Sequence, residues 1–77
     1  MRKYRYTILL HPDEEQDGYW VTMPALPGCY TQGDTLEEAI VNAREAIHLY
    51  ITTLLAEGEP VPAEDAGAQA ITIDVAA

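Results

Sequence analysis

Apolar and polar residues alternate along the first ten or so positions of the chain. The side chains that share the more apolar side are Tyr4, Tyr6, Ile8 and Leu10. A period of two is typical of a strand with one buried face, and it predicts a first β-strand over residues 2–11. A polar segment at 11–18, with Pro12 near its start and Gly18 at its end, predicts a turn. Residues 19–23 then predict a second strand that pairs with the first as a hairpin.

Two prolines interrupt the pattern after the second strand. Pro24 and Pro27 have no backbone N–H to donate, so the segment 24–28 is not expected to continue a paired strand. It predicts a rigid corner, which either supports the fold or presents Leu26 to a partner. Residues 29–31 predict a short third strand, which Gln32 and Gly33 end.

Apolar residues recur at three- and four-residue steps after Gly33, which predicts a helix of about six turns. The residues of this stripe are Leu36, Ala39, Ile40, Ala43, Ala46, Ile47, Tyr50, Leu54 and Leu55. Thr35 followed by Glu38 has the spacing of a capping box. Gly58 is placed to end the helix.

The composition changes after the helix. Residues 59–69 are rich in Pro, Ala, Gly and acidic residues and predict a connector, whereas residues 70–75 alternate again and predict a last strand. The predicted order is β-β-β-α-β in a single domain, residues 1–77. This is an α+β two-layer sandwich with one long helix packed on a small sheet. The long crossover predicts that the last strand pairs in parallel, with right-handed connectivity.

The charge of the chain limits the choice of partners. Thirteen acidic and four basic residues give a net charge of −9. Because nucleic acid is bound through Lys and Arg against phosphate, direct nucleic-acid binding is not expected. The acidic balance favours a basic protein partner, although it also serves simple solubility. With 77 residues, a domain buries a modest share of its surface, which favours a homo-oligomer, either a dimer or a tetramer.

Cys29 is the single cysteine, so no intrachain disulfide is available. The sequence contains no apolar run of membrane-spanning length and no signal-peptide core, and a cytoplasmic location is predicted.

The residues that catalysis would need are scarce. The chain has no Ser, His11 and His48 fall in different predicted elements, and Cys29 has no neighbouring base. We therefore predict a protein that is not an enzyme and holds no metal or cofactor. The alternative that remains open is a small enzyme or ligand-binding domain with a pocket near Cys29 and Trp20.

Tyr19 and Trp20 point to opposite faces of their strand, so only one of them can face the helix. The other ring either covers the back of the sheet or belongs to an interface. The candidate partner-binding residues are Asp13, Glu14, Glu15, Asp17, Trp20, Pro24, Leu26, Pro27, Glu37, Glu38 and Glu45.

Three segments together resemble the signature of the HicB family of antitoxins. They are Gly18-Tyr19-Trp20-Val21, then Pro24-Ala25-Leu26-Pro27-Gly28-Cys29, and then Gly33-Asp34-Thr35-Leu36-Glu37-Glu38-Ala39. The predicted first and last strands fit the same family, so the resemblance covers nearly the whole chain. It implies a reduced ribonuclease-H-like unit of order β-β-β-α-β.

The resemblance also implies a function. In type II toxin–antitoxin systems of this kind, the antitoxin binds HicA, a small basic toxin that cleaves messenger RNA and resembles a double-stranded-RNA-binding domain. Many family members carry a DNA-binding segment after the HicB-like domain, whereas this sequence stops at Ala77. The expectation is therefore a short HicB-like antitoxin that does not bind an operator by itself. The alternative is a solitary oligomeric HicB-like protein with a structural or ligand-binding role and no toxin partner.

Overall fold

A computed structural model of the chain describes residues 3–64 and 71–77. Three antiparallel strands, β1 (Leu9–Pro12), β2 (Tyr19–Thr22) and β3 (Tyr30–Gly33), form a sheet in the order β1-β2-β3. One long helix, α1 (Leu36–Ala56), follows and packs mainly against β3 and β2. The predicted α+β class, with three strands before one long helix, is confirmed.

The first strand is shorter than the alternation predicts. β1 covers only Leu9–Pro12, although residues 3–8 keep the alternating pattern of half-buried and exposed side chains. Leu9 lies opposite Thr22, so continuing the ladder toward the N-terminus would place Thr7 opposite Pro24. Since proline has no N–H to donate, pairing stops there.

The register decides which aromatic ring of β2 faces the helix. Leu10 lies opposite Val21, which is completely buried, and Tyr19 packs against the core from the same face. Trp20 therefore lies on the outer face of the sheet, because neighbouring strand residues point to opposite sides.

The third strand starts and ends later than predicted. β3 runs over Tyr30–Gly33, and Gly33 pairs with Tyr19 instead of ending the strand. A Cβ atom at Gly33 would lie 2.4 Å from the backbone N of Ala39. Because glycine has no side chain, β3 can lie directly against the first turns of α1.

The helix begins at the predicted capping residue. The Oγ1 atom of Thr35 accepts a hydrogen bond from the backbone N–H of Glu38 (3.1 Å), and a Glu38 carboxylate oxygen accepts one from the N–H of Asp34 (3.2 Å). In the usual capping box, the Glu side chain accepts from the N–H of the N-cap residue itself, which here is Thr35. In this chain it accepts from the N–H of the preceding residue, Asp34. Gly58 follows the helix with φ of +71°, a left-handed conformation that suits glycine.

The buried face of α1 is narrower than the predicted stripe. Ala39, Ala43 and Ile51 are buried, whereas Leu36 and Leu55 at the two ends are largely exposed. Ile51 did not belong to the predicted stripe. The two small alanines let the helix axis approach the sheet closely. Longer side chains on either side of them therefore lie at the edges of the interface between helix and sheet.

The segment between β2 and β3 is a corner whose apolar side chains pack in the core. Leu26 is 1% exposed and packs with Met23 and Cys29. The corner is closed by hydrogen bonds from Leu26 N–H to the Met23 carbonyl and from Cys29 N–H to the Leu26 carbonyl, both 3.0 Å long. The alternative in which Leu26 is presented to a partner is therefore wrong.

Within the described residues, the predicted last strand is also wrong. Residues 71–77 form no strand, and the side chains of Ile71, Ile73 and Val75 are between 74 and 80% exposed. Ala70 and residues 65–69 of the connector lie outside the described residues. A strand forms only where a neighbouring strand supplies a ladder and an apolar surface covers one face. The alternation of residues 71–75 could not indicate whether those contacts form.

Candidate partner-binding surfaces

The turn between β1 and β2 is built around the carboxylate of Asp13. Its Oδ1 atom accepts hydrogen bonds from the backbone N–H groups of Glu15 (3.0 Å) and Gln16 (3.1 Å). The Asp13 N–H in turn donates to the Gly18 carbonyl at 3.0 Å. The Asp13 side chain thus shapes the turn, whereas Glu14, Glu15 and Asp17 are exposed acidic residues that the turn holds in place.

This turn lies beside the start of α1. Tyr19 is paired with Gly33, so the residues before Tyr19 run next to those that follow Gly33. A Cβ atom on Gly18 would lie 3.1 Å from the Cα atom of Asp34. The two acidic segments therefore meet at one end of the domain.

We call this surface the acidic end. Its residues are Asp13, Glu14, Glu15, Asp17, Asp34, Glu37 and Glu38, all exposed. Asp34 was missing from the candidates that the sequence suggested. Its position directly after Gly33, opposite the hairpin turn, is the signal that could have found it. Glu45 is exposed as well, but it lies seven residues beyond Glu38, about 10 Å further along the helix.

The described cations lie elsewhere. Lys3, Arg5 and Arg44 line a groove of about 620 Å³ whose apolar wall includes Ile40 and Ile47. None of the residues that line this groove belongs to the acidic end. The acidic end therefore contains none of the described cations and is a concentrated source of negative potential.

A third surface is the outer face of the sheet. The rings of His11 and Trp20 are stacked, with centroids 3.8 Å apart and planes at 18°. The Nε2 atom of His11 and the hydroxyl of Thr22 are hydrogen-bonded at 3.0 Å. This arrangement leaves Trp20 48% exposed beside Tyr30, which is 75% exposed. The stack was not predicted, because His11 was interpreted as part of the polar turn. The alternation of the first strand nevertheless placed His11 on the same face as Leu9.

The predicted pocket near Cys29 and Trp20 exists as a shallow cavity of about 710 Å³. Its walls include Trp20, Met23, Cys29 and Tyr30 and are mainly apolar. Pro27 also lies on its wall, and the Pro27 carbonyl accepts a hydrogen bond from the Tyr50 hydroxyl at 2.8 Å. Pro24 and Pro27 are exposed at the corner. The cavity can bind apolar groups, but acid–base chemistry would need an ionisable group other than a buried thiol.

Burial raises the pKa of the Cys29 thiol above its ordinary value of 9.0. The thiolate is the nucleophile, and a raised pKa lowers its fraction at neutral pH. We therefore expect iodoacetamide to alkylate native Cys29 at least roughly tenfold more slowly at pH 7.5 than the unfolded chain. The rate should increase with pH up to and beyond pH 9. Alkylation followed by mass spectrometry, with and without guanidinium, measures both rates. Equal rates in the two states would contradict a buried, protonated thiol.

The described residues, 3–64 and 71–77, contain no group of three or more His, Cys, Asp or Glu side chains arranged to hold a metal ion. They also contain no helix that is long and apolar enough to cross a membrane.

The chain is thus a small α+β domain with a cluster of carboxylates at one end and an aromatic outer sheet face. Its sequence matches the family described as "HicB_like antitoxin of bacterial toxin-antitoxin system" over residues 6–73. The chain therefore belongs to the HicB-like antitoxin family, as the resemblance predicts. Proteins of this family are generally not enzymes.

The relatives include proteins named UPF0150 and proteins named antitoxin HicB. A UPF0150 protein of Synechocystis sp. is 56% identical over 62 residues, covering 80% of this chain and 77% of the relative. A UPF0150 protein of Thermoplasma acidophilum is 48% identical over 63 residues, covering 80% of this chain and 88% of the relative. The protein named antitoxin HicB 1 in Photorhabdus laumondii is 37% identical over 62 residues, which are 80% of this chain but 39% of that protein.

Proposed function

We propose that this protein is the antitoxin of a type II toxin–antitoxin system. In this proposal it acts in the cytoplasm and neutralises a small basic HicA-type toxin, which cleaves messenger RNA, by direct protein–protein contact. Family membership supports the antitoxin role. The juxtaposition of the β1–β2 turn with the start of α1, which gathers seven acidic residues at one end, is the observation that carries the proposed mode of contact.

The physical basis is competition for a cationic surface. A protein that cleaves RNA has to hold a phosphate backbone, and it does so with Lys and Arg. A surface built for phosphates is complementary to a cluster of carboxylates. Complementary charge accelerates encounter and fixes orientation more than it adds affinity. The acidic end would therefore guide the antitoxin onto the RNA-binding surface of the toxin and exclude the substrate.

The geometry makes the acidic end a better candidate than the single residues that the sequence suggested. Glu14, Glu15, Asp17 and Glu37 are exposed and carried by rigid elements, a turn closed by Asp13 and a capped helix. Rigid presentation lowers the entropy lost on binding. Pro24 and Pro27 remain candidates at the exposed corner, Trp20 remains one on the outer sheet face, and Glu45 would be a peripheral contact.

One observation favours a second candidate function. The apolar cavity beside Trp20 and Cys29 has the volume of a small-molecule site. In this second candidate function, the chain is a solitary HicB-like protein that uses the cavity for a ligand and has no toxin partner.

A neutralisation assay separates the two functions. The small basic protein encoded next to this chain, or a HicA-type toxin if there is none, is incubated with RNA and increasing amounts of this chain. We expect cleavage to stop at a stoichiometric ratio and the two proteins to co-purify. Unchanged cleavage by the neighbouring protein, with no complex, would overturn the antitoxin proposal.

A further inference from the structure

The groove between the N-terminal segment and α1 gathers most of the basic residues of the chain. The chain contains four Lys and Arg residues, and three of them, Lys3, Arg5 and Arg44, line this groove of about 620 Å³. Because Lys3 and Arg44 are far apart in the sequence, only the fold brings them together. We call this surface the basic groove. Its other lining residues are Tyr4, Tyr6, Ile8, Ile40, Ala43 and Ile47.

One wall of the basic groove is the extended segment at residues 3–8. Its side chains alternate between exposed and half-buried positions, so Lys3 and Arg5 lie at the rim of the groove. Tyr6 is half-buried, packs against the core and donates a hydrogen bond from its hydroxyl to the Pro62 carbonyl. These contacts fix the segment to the domain, and a fixed wall lowers the entropy lost when a ligand binds.

The other wall is one face of α1. Ile40, Ala43, Arg44 and Ile47 follow one another at steps of three, one and three residues, which places them on the same side of a helix. Ala43 is buried and Ile47 is half-buried against the core, whereas Arg44 is exposed. The groove thus combines an apolar floor with a cationic rim.

Carboxylates of the described residues do not neutralise the three cations of the basic groove. Within that part of the chain, no acidic side chain forms an ion pair with Lys3, Arg5 or Arg44, and the lining includes no Asp or Glu. Glu64 lies beside the same segment, but its carboxylate accepts a hydrogen bond from the Thr7 hydroxyl and does not line the groove. Like charges gathered at one groove repel one another, and a bound anion offsets that repulsion.

We propose that the basic groove binds a small amphipathic anion, a molecule with an acyl or aromatic body and one carboxylate or phosphate head. The body lies on the floor beside Ile40, Ile47 and Tyr6. The head lies between the cations, where the guanidinium groups of Arg5 and Arg44 can hold either kind of head through paired hydrogen bonds. The groove volume of about 620 Å³ falls within the roughly 300–1,000 Å³ of small-molecule sites. The site is separate from the acidic end and does not depend on the proposed toxin.

The net charge of the chain favours a small ligand over a large polyanion. At a net charge of −9, the chain repels a polyanion such as RNA at long range. A ligand with one or two negative charges experiences much less of this repulsion. Its apolar body also gains free energy from burial on the floor of the groove. The combination of one anionic head with an apolar body therefore fits both the rim and the floor.

A fluorescence titration with anilinonaphthalene sulfonate, itself an amphipathic anion, provides the first test. Octanoate and octyl phosphate should displace the dye, and the one that acts at the lower concentration identifies the preferred head group. Octanol lacks the charge and acetate lacks the body, so both should be at least about 10-fold less effective than octanoate. Displacement by octanol or by acetate at the same concentration as by octanoate, or no displacement by either octyl compound, would overturn the proposal.

A charge-neutral variant assigns the binding to the groove. Lys3→Gln, Arg5→Gln, Arg44→Gln removes the three charges at exposed positions, so the circular dichroism spectrum should not change. Binding of the dye and of octanoate should weaken at least about 10-fold, because the hydrogen bonds to the charged head are lost.

The control variant reaches the same net charge without touching the groove. Gln16→Glu, Gln32→Glu, Thr53→Glu changes three exposed residues that do not line it. At physiological ionic strength, screening should limit the loss of octanoate affinity in this variant to roughly twofold or less. Equal losses of affinity in the two variants would show that only net charge matters and would contradict a site at the basic groove.

Amide chemical shifts of the wild type locate the ligand without any substitution. Millimolar octanoate should shift the NMR signals of residues 3–8 and 40–47 and leave those of the β1–β2 turn unchanged. Shifts centred on Trp20 and Cys29 would place the ligand in the cavity on the outer sheet face and would overturn the proposal. The absence of any shift would overturn it as well.

Discussion

Removing three carboxylates from the acidic end is expected to slow association with the proposed HicA-type toxin by roughly 10- to 100-fold. The variant is Glu14→Gln, Glu15→Gln, Glu37→Gln, in which each substitution keeps the shape of the side chain and removes one charge. All three residues are exposed, and no described hydrogen bond of the turn or the helix cap uses their side chains. The fold should therefore be unchanged, and the loss should reflect the lost charge complementarity.

The control removes the same amount of charge from a different part of the surface. Glu57→Gln, Glu59→Gln, Asp74→Asn changes three exposed acids beyond the end of α1. Both variants carry the same net charge, so any effect of net charge alone on the association rate is equal in the two. Stopped-flow association at several salt concentrations should show a smaller salt dependence for the first variant than for the control. Equal rates for the two variants would show that only net charge matters and that the acidic end is not the contact.

The substitution Gly33→Ala is expected to destabilise the fold by about 3 kcal/mol or more, a large part of the stability of a domain of this size. The added Cβ would lie 2.4 Å from Ala39 N, 2.6 Å from Ala39 Cα and 2.9 Å from Glu38 C. All three atoms belong to the helix backbone, so no side-chain rotation relieves the clash. The helix has to move away from β3, which also disrupts packing around the buried Ala39 and Ala43.

A matched glycine isolates this effect from backbone strain. Gly58→Ala places a Cβ where no atom lies within 4 Å, although φ of +71° is unfavourable for alanine. Its expected cost is about 1 kcal/mol. Urea denaturation of the two variants and the wild type measures the difference. Similar midpoints for the two variants would mean that β3 and α1 do not approach as closely as Gly33 requires. Because Gly33 also joins the turn side of the sheet to the start of α1, its loss should reduce binding of the proposed toxin as well.

The features that the sequence predicted correctly are those that neighbouring residues decide. The alternation of residues 4–10 identified the more apolar face of the first strand, on which Leu10 lies opposite Val21, and Thr35 with Glu38 identified the start of the helix. Both signals arise within a few residues, because strand periodicity and helix capping are local properties.

The predictions that were wrong, or incomplete, depended on contacts distant in sequence. The alternation of residues 71–75 carried no information on whether a neighbouring strand would pair with this segment. Residues 71–77 form no strand in the structure. The stripe on α1 included Leu36 and Leu55 but not Ile51, because the closest approach of the sheet decides which helix residues are buried. Leu26 was a candidate residue for contact with a partner, but the fold of the corner buries it in the core.

By itself, the sequence determined the α+β class, the hairpin, the corner, the capped helix and the acidic balance, since each follows from local pattern or composition. Only the tertiary structure decided how these pieces meet. The pairing of Tyr19 with Gly33 brings the turn acids beside Asp34 and Glu37, and the absence of a side chain at Gly33 lets the helix lie close enough for this. The same packing leaves Tyr30 and Leu49 together at an uncovered edge. Surfaces of this kind are formed by residues far apart in the chain, and a linear pattern does not contain the distances between them.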